Sequence, residues 1–209
     1  MKTQTKTQTK TKKRTSTKEL VLVAMLGAIS AVLMLLEFNV PLVLPFIKMD
    51  FSELPIILGG FVLGPGAGVG VIVIKILLNF VFNGTVTAGV GEVANFVLSL
   101  CYMLPSVLIY QKMRTKKWAA LAMVIGTVFA SLMSVLMNTY VMFPVYGKAF
   151  HLPMDAIVAI GASVNPAVDS LLSLMLFSVL PFNLFKYGVV SLLTFLVYKR
   201  LAGFIRNII

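Results

Sequence analysis

Residues 111–117 read Gln111-Lys112-Met113-Arg114-Thr115-Lys116-Lys117, and long apolar stretches run away from them in both directions. The chain around them is 59% hydrophobic, with a mean hydropathy of +0.97 over 209 residues. That is the composition of an integral membrane protein, whose short Lys/Arg-rich loops stay on the cytoplasmic side. The rest of the positive charge is clustered in the same way. Of the eighteen basic residues, seven lie between Lys2 and Lys18, four in this link, and three at Lys199, Arg200 and Arg206. All three patches therefore face the cytoplasm, and an even number of crossings separates each from the next.

Apolar stretches at 18–36, 51–63, 67–82, 89–110, 118–140 and 183–199 satisfy that parity. The second and third are short for a crossing, which takes about 17–25 residues. Leu63-Gly64-Pro65-Gly66 between them is a tight-turn signal. The two read as a helical hairpin dipping from the outer face to the inner one and back. The expected fold is an all-α integral membrane protein: a six-transmembrane-helix bundle over 19–209, both termini cytoplasmic, preceded by a tail over 1–18. Segment 147–182 is apolar enough to suggest a seventh span, but Pro153, Asn165-Pro166, Asp169 and Pro181 interrupt it. A seventh crossing would also put Lys199 and Arg200 outside, so the segment is read as an outer loop with short helices. The acidic residues agree. Glu19 alone falls on the cytoplasmic side, whereas Glu37, Asp50, Glu53, Glu92, Asp155 and Asp169 fall at or near the outer face.

Several function classes drop out. The net charge of +11 lies beside apolar spans, where it suits anionic headgroups and topology control rather than nucleic acid. A single cysteine, Cys101, excludes an internal disulfide. A lone His151 argues against a His-rich metal site or a His-centred triad, and neither metal nor cofactor is expected. The glycines from Gly64 to Gly70 lack the Lys-Ser/Thr that grips phosphate, so ATP hydrolysis is not expected of this chain. With no paired acidic motif and no nucleophile–base signature, a membrane enzyme is the weaker alternative. The tail has no apolar face to bury and reads as disordered. The run 20–36 behind it has no small-x-small cleavage site and reads as an uncleaved first span.

Polar groups inside a membrane are costly and usually face the bundle interior or a cavity. Three spans carry them at helical spacing near their outer ends: Glu92, Asn95 and Ser99; Ser131, Ser134 and Asn138; Asn183 and Lys186. They form either a ligand pocket or hydrogen-bonded packing between helices. Lys186 is expected in the first turn of its helix, where the macrodipole disfavours a cation. It either snorkels to the headgroups, pairs with Glu92, or donates to a ligand. Thr87-Ala88-Gly89-Val90-Gly91 is small and flexible, which lets backbone approach a ligand closely. The first loop holds Pro41, Leu42, Val43, Leu44, Pro45, Phe46 and Ile47 and is expected to fold over the pocket as a lid. Lys48, Asp50 and Glu53 belong either to the site or to a solvated rim. Lys75, midway along the third span, either snorkels or pairs with a buried acid. Ala24-x-x-x-Ala28 and Gly27-x-x-x-Ala31 place small residues along the first span, for internal packing or for docking a partner.

Six spans, Ala24-x-x-x-Ala28, the apolar first loop, Thr87 to Glu92, Asn138 and Asn183-x-x-Lys186 together resemble a known family. It is the substrate-binding S component of energy-coupling-factor (ECF) vitamin transporters, specifically the riboflavin-binding type. The resemblance covers 19–209 and is weakest over 147–182. It implies vitamin capture on the outer side of a bacterial plasma membrane, by the first loop and the outer ends of helices four to six. It also implies docking through helices one to three on a transmembrane coupling protein driven by two cytoplasmic ATPases. Carried over, Ala24, Ala28 and Ala31 would form the docking face. Leu44, Lys48, Ala88, Gly89, Glu92, Asn95, Asn138, Asn183 and Lys186 would surround the ligand. The chemistry suits riboflavin, whose apolar ring system has one amide-like edge: each Asn offers donor and acceptor, and Lys186 donates. Another vitamin, such as thiamin, is the nearest alternative.

Overall fold

The computed structural model describes residues 16–40, 47–85, 88–149, 151 and 153–208. The tail at 1–15, the lid residues 41–46 with Leu44 among them, and Thr87 lie outside the described residues. The elements are α1 (Thr17–Leu35), β1 (Phe38–Asn39), β2 (Lys48–Met49), α2 (Glu53–Leu63), α3 (Pro65–Asn83), α4 (Val90–Met113), α5 (Lys116–Met137), α6 (Phe143–Ala149), α7 (Met154–Val164), α8 (Leu171–Leu174) and α9 (Leu180–Ile208). The strands form an antiparallel pair, Phe38 opposite Met49 and Asn39 opposite Lys48.

Among the described residues, five helical stretches are long and apolar enough to cross a membrane: Thr17–Leu35, Pro65–Asn83, Val90–Met113, Lys116–Ala149 and Leu171–Tyr198. Glu53–Leu63 and Met154–Val164 are apolar but shorter. The last two long stretches overrun the expected boundaries, because α5 continues through a π turn, Asn138–Met142, into α6, and α8 through another, Met175–Val179, into α9. Each π turn ends two residues before a proline, Pro144 or Pro181. Proline lacks the N–H for its helical bond and its ring presses on the preceding turn. A widened turn takes up that misfit, so the helix bends instead of ending. The expected outer loop shrinks accordingly to 150–170, with α7 as its helix.

α2 lies at the centre, packed against α1, α3, α4 and α9. Eight of its residues, Glu53 and Pro55 to Phe61, are buried, as befits a helix apolar on every side. Its joint to α3 is a single residue, Gly64, at φ 109°, with Pro65 opening the next helix. α4 and α5 pack closely because position 126 is glycine: a Cβ there would lie 2.6 Å from the Tyr102 carbonyl. Phe61 near the end of α2 stacks on Tyr110 of α4 at 4.3 Å and meets Tyr198 of α9 edge-on at 6.3 Å. Glu19 of α1 and Gly64 line one cleft beside them. The helix ends that carry the three basic patches therefore gather at one end of the bundle.

The other end differs in kind. At about 1.5 Å per residue, the 11 residues of α2 reach roughly half of a hydrocarbon core about 30 Å thick. Ahead of α2 the chain runs as the non-helical segment 50–52, with Asp50 and Ser52 buried in the bundle. Ser30, five residues before the end of α1, donates its hydroxyl to the Ser52 carbonyl at 2.5 Å. Irregular backbone at such depth survives only inside protein or along a cavity. Here the Ser52 N–H donates to Asp50 Oδ1 at 2.8 Å and the Leu54 N–H to the Phe51 carbonyl at 3.1 Å.

Candidate binding site

The sunken segment carries two acids, and each meets a lysine. Lys75 of α3, fully buried, donates to Glu53 Oε1 and Ser99 Oγ, both at 2.9 Å, and to Ser52 Oγ at 3.4 Å. Ser99 Oγ in turn lies 2.6 Å from Glu53 Oε1 and 3.4 Å from Asn95 Oδ1. Of the two readings of Lys75, the buried pair is the observed one. Lys186 of α9 donates to Asp50 Oδ2 at 2.6 Å. Asp50 Oδ1 also accepts the Ser52 N–H, so both carboxylate oxygens are bound, one by backbone and one by the Lys186 ammonium.

Lys186 does not pair with Glu92. Glu92 Oε2 accepts from Thr85 Oγ1 at 3.1 Å, and Thr85 Oγ1 accepts from the Gly89 N–H at 2.8 Å. This local clasp closes the turn ahead of α4, where Ala88 (φ 52°) and Gly89 (φ 88°) both take left-handed backbone. Lys186 is also not in a first turn, since the helix runs on unbroken from Leu171. The dipole penalty expected of that position does not apply.

The two amides lie beside the two π turns. Asn138 opens the first and donates to the Ser134 carbonyl at 2.8 Å. Asn183 follows the second and donates to the carbonyl of its last residue, Val179, at 2.9 Å. Lys48, by contrast, pairs with Glu37 at the rim of the strand pair, and its side chain is 45% exposed. It belongs to the solvated rim, whereas Asp50 and Glu53 do not.

On α1, Ala24 and Ala28 are exposed, but Ala31 is only 2% exposed and forms part of the core. Gly27 serves internal packing, for a Cβ there would lie 2.6 Å from Ile74 of α3. A cleft of about 350 Å³ opens between α1 and the α2–α3 joint, lined by Glu19, Leu20, Val23, Gly66, Ala67 and Gly70 among others. Sequence reasoning missed Ser30 and Ser52 as anchors. The available signal was Asp50-Phe51-Ser52-Glu53, three hydrogen-bonding side chains leading into a span too short to cross.

Residues 18–198 match the family described as ECF transporter, substrate-specific component. The chain is 32% identical over 191 residues to the riboflavin transporter RibU of Staphylococcus aureus (strain TCH60), covering 91% of this chain and 94% of that one. It is 31% identical over 191 residues to the riboflavin transporter FmnP of Bacillus subtilis (strain 168), covering 91% and 95%. Among solved structures, the S component of a bacterial ECF transporter superposes with a TM-score of 0.70 at 30% identity, over 90% of this chain and 96% of that one. These are transport proteins, so the enzyme alternative is set aside. With sequence and helical architecture matched along nearly its whole length, the chain belongs to the family of substrate-specific S components of ECF transporters.

Proposed function

We propose that this S component captures riboflavin at the extracellular face of the bacterial plasma membrane and delivers it through a transmembrane coupling protein driven by two cytoplasmic ATPases. The observation that carries the substrate is the similarity, over 91% of the chain, to two proteins that are riboflavin transporters. In this reading α2, completed by the sunken segment, is the sixth span. Both termini are then cytoplasmic, and the end opposite the basic patches opens outward. Asn138, Asn183 and Lys186 read the amide-like edge of the flavin ring, with hydrogen-bonding capacity beyond the contacts they make within the protein. Gly89, Glu92 and Asn95 border the ribityl chain, with Ala88 beside them. Leu44, by its apolar character, is assigned to the ring, and Lys48 to the mouth. Ala24 and Ala28, exposed on α1, face the coupling protein, and Ala31 supports them from within.

The direct test is to purify the full chain in detergent and titrate riboflavin and thiamin. Flavin absorbance in the visible and saturable riboflavin binding are expected. A colourless protein that ignores riboflavin and takes thiamin would replace the substrate. For docking, Ala24→Trp should leave riboflavin binding intact and abolish uptake by cells. Uptake that survives the added bulk rules out the α1 assignment.

A further inference from the structure

Two lysines meet two acids beside the proposed pocket, and the acid paired with the ligand-reading Lys186 has no role in the reading above. We infer that Asp50 is a positioning residue for ligand capture: its carboxylate is the resident counter-ion that keeps the Lys186 ammonium charged and aimed at a neutral ligand. The inference rests on the riboflavin reading.

Riboflavin is neutral and brings no charge to match a buried ammonium. A buried cation without a counter-charge is costly and tends to shed its proton. The Lys186 side chain is 14% exposed, and Asp50 is the acid that hydrogen-bonds it among the described residues. Glu53, the other buried acid of the segment, is already bound to Lys75 and Ser99. Asp50 is also held still. Its Oδ1 accepts the Ser52 N–H, the Ser52 carbonyl is bound by Ser30 of α1, and the Ser52 hydroxyl by Lys75 of α3. A carboxylate whose backbone anchor is held from two helices, α1 and α3, holds the ammonium it binds. Of the three ammonium hydrogens, Asp50 takes one and leaves two for a ligand.

The test is a double-mutant cycle on the full chain in detergent, read by quenching of riboflavin fluorescence. Asp50→Asn should weaken riboflavin binding about tenfold or more, and Asp50→Glu should recover most of that loss. In a Lys186→Met background the same Asp50→Asn change should shift Kd by less than about twofold, because nothing remains to be positioned. An equal loss in both backgrounds assigns Asp50 a merely structural role and overturns the inference, as does unchanged affinity in Asp50→Asn alone. Should Asp50→Asn fail to accumulate as folded protein, Lys186→Met is compared with the neutral pair Asp50→Asn/Lys186→Met. Equal affinity supports the inference, and weaker binding by the double variant overturns it. A wild-type protein that does not bind riboflavin sinks the substrate reading and this inference together, whereas a flat cycle on a riboflavin-binding protein sinks this inference alone.

Discussion

Glu53 and Asp50 are three residues apart, and each is paired with a lysine from a helix behind it. In the Glu53–Lys75 pair the two side chains are 4% and 0% exposed, and Ser99 joins them from α4. The Asp50–Lys186 pair is slightly open, at 6% and 14%, and reaches across 136 residues of sequence to α9. A third pair, Lys48–Glu37, stands in solvent at the strand rim. The chemistry is the same in all three, so surroundings decide what each does. The sealed pair clamps α2, α3 and α4, the half-open one has donors left for a ligand, and the rim pair is weakened by water.

The largest effect belongs to the sealed pair. Lys75→Met leaves a carboxylate buried with nothing to balance it, and Glu53 Oε2 already has no partner among the described residues. Breaking one side of such a pair costs about 3–5 kcal/mol. Thermal unfolding in detergent should show that loss, with Glu53→Gln/Lys75→Met recovering most of it. A single variant as stable as wild type would make the clamp irrelevant.

The distinction between the pairs was only partly legible in the sequence. The apolar composition and the Gly64-Pro65 joint announced the helical bundle and the α2–α3 turn, because each is a local or compositional signal. Lys75 in an apolar span announced a problem that a buried acid solves, yet Ser99 and Glu53 were not identifiable as partners at separations of 24 and 22 residues. Asp50 and Glu53 stay open in the sequence between the site and a solvated rim, and Ser52 draws no notice, since nothing in hydrogen-bonding residues before a helix says how deep they lie. Pro181 was read as a break for lack of any sequence marker for the π turn that precedes and absorbs it.

For the half-open pair the expected loss is in binding. Lys186→Ala or Asn183→Ala should each weaken riboflavin binding by about 1–3 kcal/mol, the cost of leaving a buried partner unsatisfied. Isothermal titration with both variants sharpens the contrast: Lys186→Ala should unfold nearer to wild type than Lys75→Met does, while binding worse. Unchanged titrations for both variants would remove α9 from the pocket.

The rim pair sets the lower bound. Removing one member of a solvent-exposed ion pair changes stability by less than about 1 kcal/mol, because water screens the attraction and two long side chains regain their freedom. Lys48→Gln should therefore unfold within a degree or two of wild type, and about 1 M salt should erase even that difference. Riboflavin affinity should stay within about twofold, since the rim has no fixed donor for the ring. A large, salt-insensitive loss of binding in Lys48→Gln would mean that the lid folds inward and carries Lys48 onto the ligand. The line between rim and pocket would then have to be redrawn on the lid side of Asp50.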